Sequence, residues 1–150
     1  MEKQKILVSR LEMIISMWQD LMKDLSDEQL GLKLASLPSN TIGQQLWCLG
    51  GCRESNLRSL EADSSFAWQC SYEGATDDSE TLTKYVNEMG QKLIEFISRD
   101  NQLTENQFGL VLDLLAHEFQ HQGQFIRYLY GNKMPIPKSW RQFWHLEVIS

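Results

Sequence analysis

Basic residues are scarce in this 150-residue chain: 14 Lys and Arg stand against 20 Asp and Glu, for a formal charge of -6. Nucleic acid is bound through clustered cations that displace phosphate counterions, so this balance argues against a nucleic-acid partner. It argues equally against docking on an anionic membrane surface. No apolar run approaches the length that spans a bilayer. The chain opens Met1-Glu2-Lys3-Gln4-Lys5 and passes straight into an amphipathic pattern, without the apolar segment and cleavage site of a signal peptide. Cysteines number only three, an odd count with no disulfide framework, which suits a reducing, cytoplasmic setting. No segment alternates as a strand does. What is present is 42% hydrophobic and 23% charged, an ordinary globular balance, and the length suits one domain with one core.

Helical periodicity fills the space that strands leave. The first long helix runs from about Glu2 to Leu25, with Ile6, Leu11, Ile14, Trp18 and Leu21 at three- and four-residue steps. Ser26-Asp27-Glu28 opens a short helix to about Leu34, and Pro38 closes it off. The second long helix begins near Ser39-Asn40-Thr41 and reaches about Ala62, the third spans about Asp78 to Ser98, and the fourth runs from Thr104 to about Tyr130. A rigid break at Met134-Pro135-Ile136-Pro137 precedes a short aromatic segment containing Trp140 and Trp144. Two expectations follow for the second long helix. Gly50-Gly51 in its middle costs about 1 kcal/mol per glycine relative to alanine, so another segment or a ligand should approach closely there. Arg53 falls inside its apolar stripe and should face an acidic group.

Asp63 to Asp78 is the longest irregular stretch. A connection of that length crosses the end of a bundle and joins two parallel helices. Phe66, Trp68, Cys70 and Tyr72 make it too apolar for a free linker, so it should pack down as a lid.

The most informative letters are His117-Glu118-Phe119-Gln120-His121. Histidines four apart stand about 40° from one another on a helix, so both rings can reach one metal ion. They sit at the edge of a wide apolar arc, beside Asp113, Gln120 and Gln124, where a pocket mouth would lie; two boundary histidines without a metal fit the pattern as well. Glu118 lies in the middle of that arc and should pair with Arg53 across the second and fourth long helices. His-Glu-x-x-His is also the zincin protease signature, with Glu147 available as a third ligand, but no substrate-binding strand precedes it. Cys48 and Cys52 share a face at the same spacing, and on their own read as two small buried hydrophobes.

Three segments together resemble the DinB/YfiT-like superfamily of metal-dependent four-helix bundles. Thr41 through Gly51 is similar to the family's second-helix segment, His117 through Gln124 to its fourth-helix motif, and Pro135 through Trp140 to its Pro- and Trp-containing tail. The resemblance implies an all-α, up-down-down-up bundle over residues 1–150, with the long crossover between the second and third long helices. It implies that His117 and His121 are two ligands of a divalent metal, zinc or nickel. Cys48 occupies the place of the family's first histidine, which makes it the third ligand, or else the point at which the site was lost.

Family relatives use low-molecular-weight thiols. The expectation is therefore a small cytoplasmic metalloprotein, a thiol transferase or hydrolase acting on a small molecule. Its pocket would lie between the second and fourth long helices, roofed by residues 63–78 and by Trp140 and Trp144. The rival is a non-catalytic bundle with a degenerate site that binds a small ligand or a protein partner; a third reading is a stress-response homodimer with no chemistry of its own.

Overall fold

Hydroxyl side chains set where three of the helices begin. The structure, a computed structural model, describes residues 2–99 and 101–148, and all its regular elements are helical: α1 (Glu2–Met22), α2 (Asp27–Leu30), α3 (Ile42–Ala62), α4 (Ser79–Ile97), α5 (Glu105–Gly131) and α6 (Lys138–Trp144). Ser26, Thr41 and Thr104 each accept the N–H of a glutamine three residues on, and that glutamine's side chain accepts the cap's own N–H. These reciprocal pairs satisfy donors that a helix start otherwise leaves bare. Asp78 caps α4 alone through the Thr81 N–H. The expected starts thus hold. Two ends fall short: α1 stops at Met22 rather than Leu25, and α2 stops at Leu30, where Gly31 closes it, rather than running to Leu34.

The four long helices pack in a ring. Both α1 and α3 pack on α4 and on α5, so α1 and α3 face each other across the core. Leu11, Ile14 and Trp18 of α1 meet Leu46, Leu49 and Leu60 of α3, Val86 and Leu93 of α4, and Phe125 and Leu129 of α5 in one buried cluster. Each such side chain contributes about 1.5–3 kcal/mol by leaving water. No described helix is long and apolar enough to cross a membrane.

Gly50 and Gly51 are explained by close neighbours. A Cβ on Gly50 would meet the Tyr85 ring of α4, and one on Gly51 would overlap the Trp68 indole. The irregular stretch after α3 folds back along α3 as a strap, and packs down only in part: Cys70 and Tyr72 are half-buried, whereas Phe66 and Trp68 stay exposed. Ser55 Oγ accepts the Gln69 N–H at 2.8 Å and donates to the Gln69 carbonyl at 2.9 Å, while Ser59 Oγ accepts the Phe66 N–H. Glu54 accepts from the Ser71 N–H, the Ser71 hydroxyl and the Tyr85 hydroxyl, and pairs with Arg58. Burial pushes the Glu54 carboxyl up, but those donors outweigh it and hold its pKa below the usual range.

The C-terminal aromatics are not part of that roof. Trp140 is wholly buried edge-on to Trp18, which also meets Phe125 edge-on, and donates its indole N–H to the Met17 carbonyl at 2.7 Å. Trp144 donates to Gln122 Oε1 and packs on Phe119. They close the α1–α5 side of the ring, because Gln122 points about 100° away from His121.

Candidate metal centre

The i, i+4 spacing places Cys48 and Cys52 on one face of α3, and His117 and His121 on one face of α5. Because α3 packs directly on α5, the two pairs meet. Cys48 Sγ, Cys52 Sγ and a ring nitrogen of His117 all lie within 4.8 Å of one another, so these three residues can hold a metal ion. Cys52 Sγ is 3.3 Å from His117 Nε2, and His117 Nε2 is 3.2 Å from His121 Nε2. With zinc–sulfur bonds near 2.3 Å and zinc–nitrogen bonds near 2.0 Å, the edges of a tetrahedral site measure roughly 3.3–3.8 Å. The Cys52–His117 separation falls at the short end of that range and the His117–His121 separation just below it.

Two of the three expected ligands, Cys48 and His117, are therefore brought together. His121 borders the tight set, contacting His117 and donating a hydrogen bond toward the Cys48 sulfur. The third member of the set, Cys52, is the one that reading the two cysteines as buried hydrophobes missed. A signal for it was present: Cys-x-x-x-Cys on one helix repeats the spacing of His-x-x-x-His on another.

The sulfurs divide the acid–base work between them. Hydrogen bonds from Cys52 and from His121 lower the Cys48 thiol to about 4, whereas the Cys52 thiol is pushed up as the donor to Cys48 and by burial. One proton is thus shared between them and resides on Cys52. Burial, aided by the neighbouring His121, lowers the pKa of His117 and keeps its ring neutral. A thiolate, a thiol and a neutral imidazole are one proton away from a ligand set. Among the described residues, neither Nδ1 of His117 nor Nδ1 of His121 has a hydrogen-bond partner. With the Nε2 atoms turned toward the sulfurs, ligation requires protons on those Nδ1 atoms, and no protein carbonyl or carboxylate orients them.

Directly behind the site, Arg53 and Glu118 form the expected pair. Arg53 Nε and Nη2 donate to the two Glu118 oxygens at 2.6 and 2.9 Å, and Nη1 donates to the Val86 carbonyl at 3.0 Å. Both side chains are wholly buried. Glu118 is thereby occupied as the counter-ion of Arg53, not turned toward a substrate as a zincin's general base would be. The Glu147 carbonyl oxygen accepts from Tyr130, which is nine residues past His121, about 13 Å along the helix. The protease arrangement is not formed.

Comparison with protein-family models, curated proteins and solved structures finds no match. What the site can do follows from its donor atoms alone. Two sulfurs and one imidazole nitrogen, with a second imidazole beside them, suit a soft or borderline cation rather than a hard one such as magnesium or calcium.

Proposed function

We propose that this chain is a DinB-like bundle of up-down-down-up topology that binds zinc at Cys48, Cys52 and His117 and transfers a low-molecular-weight thiol to a small electrophile. The observation that carries the reading is the convergence of those three ligand atoms within 4.8 Å. The ring of long helices and the strap joining α3 to α4 support the topology. Zinc is favoured over nickel because two sulfurs and imidazole nitrogens at tetrahedral separations are its usual environment. Bound there, the metal would hold an incoming thiol as its thiolate at neutral pH.

The protein's own groups favour thiol transfer over hydrolysis. Two thiolates cancel the charge of a divalent ion, so the site polarises water or a carbonyl weakly. Trp68 lies against Gly51, the neighbour of Cys52, and edge-on to Trp47, 4.9 Å between centroids, giving the electrophile an apolar wall. His121 stands at the fourth position and yields it to the thiol.

A second reading rests on the same histidine. With His121 permanently bound, Cys48, Cys52, His117 and His121 make a closed site that staples α3 to α5, as structural zinc does. Metal analysis of freshly purified protein, followed by cobalt substitution, separates these. The proposal expects about one metal ion per chain, retained in His121→Ala, and a change in the cobalt visible bands when glutathione or cysteine is added. Metal lost with His121→Ala, and no spectral response to thiols, selects the staple. Absence of stoichiometric metal, with none taken up on adding zinc, refutes both.

A further inference from the structure

A cavity lies at the far end of α5, away from Cys48, Cys52, His117 and His121. It measures about 690 Å³ and opens where the end of α5, the Met134–Pro137 break and the segment after α6 come together. Leu129, Met134, Ile136 and Val148 supply apolar walls, and the apolar part of the lining is the larger. Its volume falls within the range of pockets that enclose most of a small organic ligand.

Two cations face the same space. Lys133, whose left-handed backbone (φ 52°) turns the chain just past α5, lines one side, and Arg141 of α6 lines another. Arg141 Nε is shut off from solvent and has no hydrogen-bond partner among the described residues. A buried guanidinium nitrogen without an acceptor is a strong demand for one, since charged donors left unmade are costly. The one carboxylate in the lining, Glu147, forms no ion pair with either cation among the described residues, and its backbone carbonyl is held by Tyr130.

We infer that this cavity binds a small monocarboxylate with an apolar body, its carboxylate accepting from Arg141 and facing Lys133 while its chain lies against Leu129, Met134 and Ile136. An arginine fork recognises a carboxylate by two parallel hydrogen bonds, and a neutral head group cannot satisfy both. The cavity is independent of the metal centre: it begins about two turns past His121 on α5, so the ligand neither touches Cys48 nor needs metal.

Calorimetric titration of the full chain with decanoate, below its micellar concentration, tests this. Decanol and decylamine serve as neutral and cationic matches. One decanoate per chain is expected, with decanol about tenfold weaker or worse and decylamine weaker still. Lys133→Gln, on an exposed side chain, and Arg141→Gln should each weaken decanoate several-fold, while Cys52→Ala leaves it unchanged. No saturable decanoate binding overturns the inference; so does equal binding of decanol or decylamine, or indifference to both cation substitutions. Loss of binding in Cys52→Ala would place the ligand at the metal centre instead and also overturn it. If Arg141→Gln fails to fold, the Lys133 variant and the three head groups still decide.

Discussion

Arg53 and Glu118 are joined through two hydrogen bonds at zero exposure, and each follows a residue of the candidate centre in sequence: Arg53 comes after Cys52, Glu118 after His117. A planar fork on a planar carboxylate tolerates little sliding or rotation. The pair therefore sets the register of α3 against α5 and, with it, the 3.3 Å separation of Cys52 and His117.

Replacing only Glu118 with leucine leaves Arg53 buried and uncompensated. The expected loss is about 3–5 kcal/mol, and the double variant Arg53→Met, Glu118→Leu should be more stable than the single one. Urea unfolding of the two proteins checks it. Additive losses would show that the pair is not a coupled unit.

Four of the glycines within helices separate into two kinds. Gly109 and Gly123 of α5 have nothing within 4 Å of a built Cβ, so alanine at either should stabilise by roughly 0.5–1 kcal/mol. Alanine at Gly51 drives into Trp68, and at Gly50 into Tyr85, so both should destabilise despite the gain in helix propensity. Melting temperatures of the four variants should fall on opposite sides of the parent.

Without metal, stability should climb between about pH 5 and 8. The His117 pKa is lowered in the fold, so below its unfolded value of about 6.5 the unfolded chain binds more protons and gains at the fold's expense. The Cys48 thiolate adds stability that is complete above the unfolded thiol value of about 8.5 and is lost as pH falls through about 4. Cys52, raised in the fold, works the other way above that thiol value. Denaturant midpoints across this range are the measurement; a flat profile from pH 5 to 8 would contradict the geometry of the four groups.

Zinc binding must release the proton that Cys52 holds, so affinity should rise with pH. Cys52→Ser should lower zinc affinity by at least about tenfold, because a hydroxyl does not ionise near neutrality and is a poor zinc ligand. Competition with a chelating dye at pH 6.5 and 8.0 reads both effects. Parent-like affinity in the serine variant would remove Cys52 from the ligand set.

Ser55 both accepts from and donates to the Gln69 backbone, so Ser55→Ala should release the strap at its middle. A cost of about 1–3 kcal/mol is expected for two unmade backbone bonds, with faster amide exchange at Phe66, Gln69 and Ser71 and little change in α1. Uniform exchange throughout the chain would mean the strap and bundle unfold together.

Local chemistry was enough to place the helix starts. Ser26, Thr41 and Thr104, each three residues before a glutamine, carry their own instructions, and the apolar steps from Leu11 to Trp18 leave no doubt about which face is buried. The need for a partner for Arg53 was also legible, because no isolated charge survives at zero exposure. Helix ends were less so: Leu25 and Leu34 continue an apolar pattern past the point where the backbone turns, and pattern alone does not register the turn.

Sequence by itself determined the helices, their buried faces and the two four-residue spacings that place pairs of donors on a common side. Only the tertiary structure decided that the Cys48–Cys52 face of α3 meets the His117–His121 face of α5, and that Trp144 belongs to the opposite wall. The physical reason is rotation. Periodicity fixes the angle between two residues on one helix, but the angle between residues on different helices depends on how each helix turns toward the core, which here is held by the buried fork of Arg53 on Glu118.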